Sequence, residues 1–164
     1  MKILGIDPGT TRAGYGVIES KSGQLRLLKS GVLKVLAKDK NRRLLELANE
    51  FEKLIKKEKP DLVALEKLFF VKNIKTGMDV SEARGVFKII VLKNKIDFVE
   101  LAPSEIKLNI AGYGSADKKA VAKMAARIIG IDKIEGPDDV SDAVAIALVA
   151  SFQNKVFKKL RGDY

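Results

Sequence analysis

The chain has 164 residues, 46% of them apolar, and a net charge of +10 from 31 basic and 21 acidic side chains. That length suits one domain with a proper core. The charge favours a polyanionic partner, nucleic acid first and an anionic membrane surface second, beside the plainer reading of a soluble basic protein. Histidine and cysteine are both absent, which excludes histidine-based catalysis, thiol nucleophiles, disulfides and the usual zinc sites.

Any bound metal must therefore be held by oxygen, and Mg²⁺ or Mn²⁺ is the natural candidate. No uninterrupted apolar run is long enough to span a membrane. The chain enters a strand at once, without a signal-peptide pattern. Together with the missing cysteine this fits a cytoplasmic protein with no membrane partner. There is no internal repeat, low-complexity segment or linker, so a single domain is expected over residues 1–154, followed by a basic, frayed tail over 155–164.

Ile3-Leu4-Gly5-Ile6-Asp7 reads as a buried central strand that ends in one carboxylate, and Pro8-Gly9-Thr10-Thr11 then turns the chain. Asp7 sits where such a strand leaves the core, a poor place for a charge without compensation. It either caps the Pro-Gly turn with its side chain or marks the strand end where ligands bind in open α/β sheets. Residues 14–18 alternate as a second strand. Leu25 to Leu36 is strand material that Ser30-Gly31 is expected to break, which gives an antiparallel meander of three strands. Gly14 and Gly16 are too closely spaced for a dinucleotide-binding fingerprint, and no helix follows them.

Residues 41–57 have an apolar stripe at helical spacing, from Leu44 to Ile55, and Pro60 stops that helix. Leu62-Val63-Ala64-Leu65-Glu66 repeats the opening pattern, a buried-type strand ending in an acid. If the two strands lie side by side, Asp7 and Glu66 meet. Phe69 and Phe70 follow between lysines. They read first as core, because large apolar residues are usually buried, with a base-stacking wedge as the other reading. A helix over residues 75–94 contains Gly85, which costs about 1 kcal/mol relative to alanine. Close packing on another helix, including one across a dimer interface, would explain it. A strand over 96–101 follows.

A short helix over 104–110 carries Lys107. Ser115 reads as the N-cap of a helix over 117–129 that displays Lys118, Lys119, Lys123 and Arg127. A cation in a first helical turn opposes the helix dipole, so Lys118 points either to a phosphate contact or to plain solvation. The last helix is expected to begin with Pro137 in its first position. It is apolar nearly all round from Val140 to Phe152. The dipole accounts for Asp138 and Asp139 at its mouth but poorly for Asp142, which lies inside the apolar run.

Asp7, Glu66 and the Asp139/Asp142 pair are thus acids at three strand or helix ends. Gathered together they would repel and raise one another's pKa. Two divalent cations about 4 Å apart would relieve that repulsion and could hold the attacking water and leaving oxygen of a phosphodiester.

Gly5-Ile6-Asp7-Pro8-Gly9-Thr10, Glu66 with Phe69 and Asn73, Ala83-Arg84-Gly85, Gly114-Ser115-Ala116 with Lys118, and Asp139-x-x-Asp142-Ala143 together resemble the RuvC family. These are crossover (Holliday) junction endodeoxyribonucleases, and the likeness runs in order along nearly the whole chain. It implies an RNase H-like α/β fold, a mixed five-stranded sheet flanked by helices on both faces. It implies a homodimer that nicks two strands of like polarity symmetrically on a four-way DNA junction, in recombination and repair, alongside a branch-migration helicase complex. It implies two Mg²⁺ per subunit, replaceable by Mn²⁺, on Asp7, Glu66, Asp139 and Asp142. Lys107 and Lys118 then act near the cut phosphate, and Phe69 stacks on the junction rather than joining the core. Lys72, Asn73, Arg84 and Lys119 complete the expected DNA-contacting set. Asp138, beside the motif, is an extra acid.

Two alternatives stand beside this reading. One is a junction-binding module that does not cleave. The other is an actin/hexokinase-like phosphate-binding domain, which Gly5 to Thr11 would suit but which needs two such domains.

Overall fold

The computed structural model describes residues 1–9, 11–68 and 74–161. β1 (Lys2–Asp7), β2 (Arg12–Lys21) and β3 (Gln24–Lys34) form an antiparallel meander. α1 (Lys40–Glu58) crosses to β4 (Leu62–Glu66), which lies parallel to β1. α2 (Ile74–Lys93) crosses to β5 (Asp97–Leu101), parallel to β4. α3 (Pro103–Ala111), α4 (Lys118–Ile128) and α5 (Asp138–Arg161) complete the described chain. The five strands run in the order β3-β2-β1-β4-β5, so β1 is central. This is the mixed sheet with helices on both faces that the sequence predicts.

Alternation along the strands sorts their side chains between two cores. Leu4, Ile6, Val63 and Leu65 pack with Leu47, Phe51 and Phe87 of α1 and α2. Ile3, Ile18, Leu62 and Ala64 pack on the other face with Ile106, Val121 and Ile146 of α3, α4 and α5. Phe51 and Phe87 meet edge to face, with ring centroids 4.7 Å apart, and tie α1 to α2.

The structure differs from the sequence reading at several element ends. β3 is not broken at Ser30-Gly31. Gly31 stands opposite Tyr15, whose ring fills the place a Gly31 side chain would take, so the glycine makes room instead of turning the chain. The N-cap of α4 is Asp117, whose carboxylate accepts from the Ala120 N–H at 2.7 Å, and not Ser115. Aspartate caps as well as serine, and here it stands next to the first turn. α5 opens at Asp138, with the Pro137 carbonyl accepting from the Val140 N–H. At its far end α5 continues to Arg161, into the segment expected to fray, and no glycine or proline intervenes before Gly162.

Candidate active site

Asp7 and Glu66 end two adjacent parallel strands, whose shared register runs from Ile3 with Leu62 to Ile6 with Leu65. Asp7 has the parity of Ile3 and Gly5, and Glu66 that of Leu62 and Ala64. Both carboxylates therefore project from the face that α5 covers. The approach of α5 depends on three glycines. A Cβ at Gly5 would overlap the Ala143 carbonyl, one at Gly14 would overlap the Asp139 carbonyl, and one at Gly16 would press into Val144. Bare backbone lets the first turns of α5 lie directly on β1 and β2. Gly14 also pairs with Asp7, so the start of α5 is delivered to the end of β1.

The result is a cleft of about 260 Å³ that Asp7, Glu66, Asp142, Lys107 and Lys118 line, with Ile106, Val121 and Ile146 among its apolar wall. Burial pushes the Asp7 carboxyl up to about 8, helped by repulsion from Asp142, Glu66 and Asp139 and opposed by Lys118. Burial and then Asp142 raise Glu66, while Lys118, Arg84 and Lys107 pull it down. The acids drawn from three elements thus feel one another's charge.

Two of them are paired with cations of the chain. Lys118 Nζ donates to Asp142 Oδ2 at 2.7 Å, and that bond raises the pKa of the lysine. The Arg12 guanidinium lies beside Asp139 Oδ2 as an ion pair, but directs no hydrogen bond at this buried oxygen. Asp139 stands to one side of the cleft lining and is half-buried, whereas Asp138 is exposed.

Lys107 is half-buried in the cleft wall, and Lys119 is exposed in the first turn of α4. Arg84, expected among the DNA contacts, is only 8% exposed and turns its guanidinium inward, where Nη1 donates to the Glu66 carbonyl and Nη2 to Glu100 Oε1. Phe69, Lys72 and Asn73 lie outside the described residues. Sequence reasoning missed Arg12, Glu100 and the role of Gly14. Only Glu100 left a trace, as a charge inside the short apolar strand Phe98-Val99-Glu100-Leu101 that demands a partner.

The donor set suits a hard cation: carboxylates alone, no nitrogen or sulfur ligand, and a buried oxygen on Asp139 that accepts no hydrogen bond although it is ion-paired with Arg12. Among the described residues no three acids close on one point. Two of the acids are instead ion-paired, Asp142 with Lys118 and Asp139 with Arg12. The residues fit a divalent metal.

A mixed sheet of this order, with acids gathered where its central parallel strands end, defines the RNase H-like nucleases. The family model for the crossover junction endodeoxyribonuclease RuvC matches residues 3–150. The RuvC of Caldicellulosiruptor saccharolyticus is 42% identical over 150 residues, 90% of each chain. That of Ruminiclostridium cellulolyticum is 42% identical over 164 residues, 99% of each. Thermus thermophilus RuvC, solved in complex with a Holliday junction substrate, superposes with a TM-score of 0.88 at 29% identity, covering 95% of this chain and 96% of that one. The chain belongs to the RuvC family, and is thereby a metal-dependent endonuclease of the hydrolase class. Among the described residues no helix is long and apolar enough to cross a membrane.

Proposed function

We propose that this cleft hydrolyses DNA phosphodiesters at four-way junctions, making two symmetric nicks in strands of like polarity during recombination and repair. One observation carries the reading: Asp7, Glu66 and Asp142 converge on a single cleft beside Lys107 and Lys118, with Asp139 next to them. Those four acids are the ligands for two Mg²⁺ ions, with Mn²⁺ able to substitute. Bound divalent cations supply the charge that activates a water and stabilises the leaving oxygen.

The chain's own residues do the rest. Asp7, buried and repelled by its neighbours, is the acid with most to gain from a cation. Lys118, which donates to Asp142 here, would have an ammonium to offer the phosphate being cut were Asp142 to hold a metal, and Lys107 offers a second charge from the α3 wall. Lys119 extends this basic surface along α4, and Phe69, Lys72 and Asn73 are proposed as DNA contacts on sequence grounds.

Paired nicks need two sites, and a second copy of the chain supplies the other. Support comes from α2, where Met78, Ile89 and Leu92 are 61%, 58% and 66% exposed. Gly85 shares their helical face, and a Cβ there would meet nothing within 4 Å. An apolar helix face with a bare glycine at its centre suits another helix. Residues 1–154 act as the nuclease unit, the basic segment 155–164 as an appendage, and a branch-migration helicase complex as the partner.

The direct test is nicking of a labelled junction with Mg²⁺ and with EDTA, beside binding under both conditions. Cutting should vanish in EDTA while binding persists. Undiminished cutting in EDTA would defeat the metal reading.

A further inference from the structure

The sheet has a second polar cluster close to Glu66 but on its opposite face. On β5, Phe98 packs with the α1/α2 core and Val99 with the other, so alternation puts Glu100 on the α2 side. There Glu100 receives Arg84 through Oε1 and Lys88 through Oε2, the latter at 2.9 Å. The second arm of the Arg84 fork donates to the backbone carbonyl of Glu66. This carbonyl lies just past the ladder joining β4 to β1, which ends at Ile6 and Leu65. On its other side the end of β4 is held by the Lys67 N–H, which donates to the Leu101 carbonyl at 2.7 Å.

A buried guanidinium is costly unless its donors are used. Here they are used on a strand terminus and on a carboxylate of the neighbouring strand. We infer that Arg84 and Glu100 form a clamp behind the sheet that fixes the end of β4, and so aims the Glu66 carboxylate into the cleft on the far side. Arg84 is thus a positioning residue for metal binding, not a DNA contact. The fork is essential, since one lysine ammonium does not reproduce a planar two-armed bridge. Lys88 is the auxiliary cation that keeps Glu100 oriented.

The inference rests on the reading of Glu66 as a metal ligand, and the experiment separates the two. Mn²⁺ binding to the protein alone is measured by water-proton relaxation for wild type, Arg84→Met, Arg84→Lys, Glu100→Gln and Glu66→Gln. Junction binding in EDTA and the melting transition are followed in parallel. Groups that orient ligands from outside typically change metal affinity about 10–100-fold. Arg84→Met and Arg84→Lys should weaken Mn²⁺ binding by that range, and Glu100→Gln should weaken it in the same direction. Junction binding in EDTA by the Arg84 and Glu100 variants should stay within about twofold of wild type, since neither residue lines the cleft.

Should Arg84→Met fail to fold, Glu100→Gln, which is isosteric and keeps the arginine, carries the test. Unchanged Mn²⁺ affinity in folded Glu100→Gln and Arg84 variants, with Glu66→Gln weakened, overturns the clamp and spares the ligand reading. Wild-type Mn²⁺ binding by Glu66→Gln overturns both. Full affinity in Arg84→Lys overturns the bridge. Loss of junction binding in EDTA with metal affinity intact returns Arg84 to the DNA-contacting set.

Discussion

Asp7 stands where the fold resists a charge. Its carboxyl titrates near 8 in the folded chain, against an ordinary value of 3.8, because of burial and then the neighbouring acids. Between those values the folded state holds a proton that the unfolded state has released. Stability of the metal-free protein therefore falls as pH rises through that window, and the group contributes no slope outside it. Glu66, also raised, acts in the same direction. In EDTA, melting temperature should drop from pH 5 to pH 8 in the wild type and drop less in Asp7→Asn. At pH 8 the variant should melt at the same or a higher temperature while being unable to nick. A marked loss of stability in Asp7→Asn would make Asp7 a structural cap of the turn that follows it.

The neighbouring acids Asp138 and Asp139 separate on the same scale. Asp139 is half-buried over Gly14 and beside Arg12, and Asp138 is exposed. Asp139→Asn should abolish nicking and leave junction binding intact. Asp138→Asn should stay within roughly tenfold of wild type, the rate equivalent of about 1.4 kcal/mol. The reverse result would redraw the site around Asp138. The acids of the cleft were legible because each ends or interrupts an apolar run. Two of the arginine pairings around them were not. Arg12 meets Asp139 and Arg84 meets Glu66 only through the register of neighbouring elements, which no local pattern encodes.

At the scale of elements, the contact of α5 with β1 and β2 brings Asp139 and Asp142 to the end of β1 beside Asp7. Gly14→Ala is the cleanest probe, because its Cβ would strike the backbone of Asp139 and not the movable end of a side chain. Overpacking of this kind costs about 1–3 kcal/mol. The expected outcome is a lower melting temperature together with a loss of nicking in the molecules that remain folded. Retained nicking per folded molecule would mean that Asp139 tolerates displacement.

The antiparallel opening meander and the crossover to a second buried strand were legible in the apolar runs, whereas the full mixed sheet was what the family resemblance implied. Helix ends were less legible. Ser115 and Asp117 are both competent caps, and only the packing of Val121 and Ala125 into the core decides where α4 starts. Likewise Gly31 carried a turn signal, but what it accommodates is a tyrosine ring from the adjacent strand.

At the scale of the molecule, the net charge of +10 draws the chain to DNA of any shape and confers no selectivity by itself. In the proposed dimer, selectivity for a junction would come from two clefts held at a fixed separation, with the exposed apolar face of α2 as the surface between copies. The most direct test is cleavage in Mg²⁺ of a synthetic four-way junction, beside a linear duplex of the same sequence, with every strand labelled in turn. Two nicks should appear at symmetry-related positions on strands of like polarity, with ends that ligase can seal, and the duplex should remain intact. Equal cutting of the duplex, or single nicks without a symmetric partner, would contradict the account.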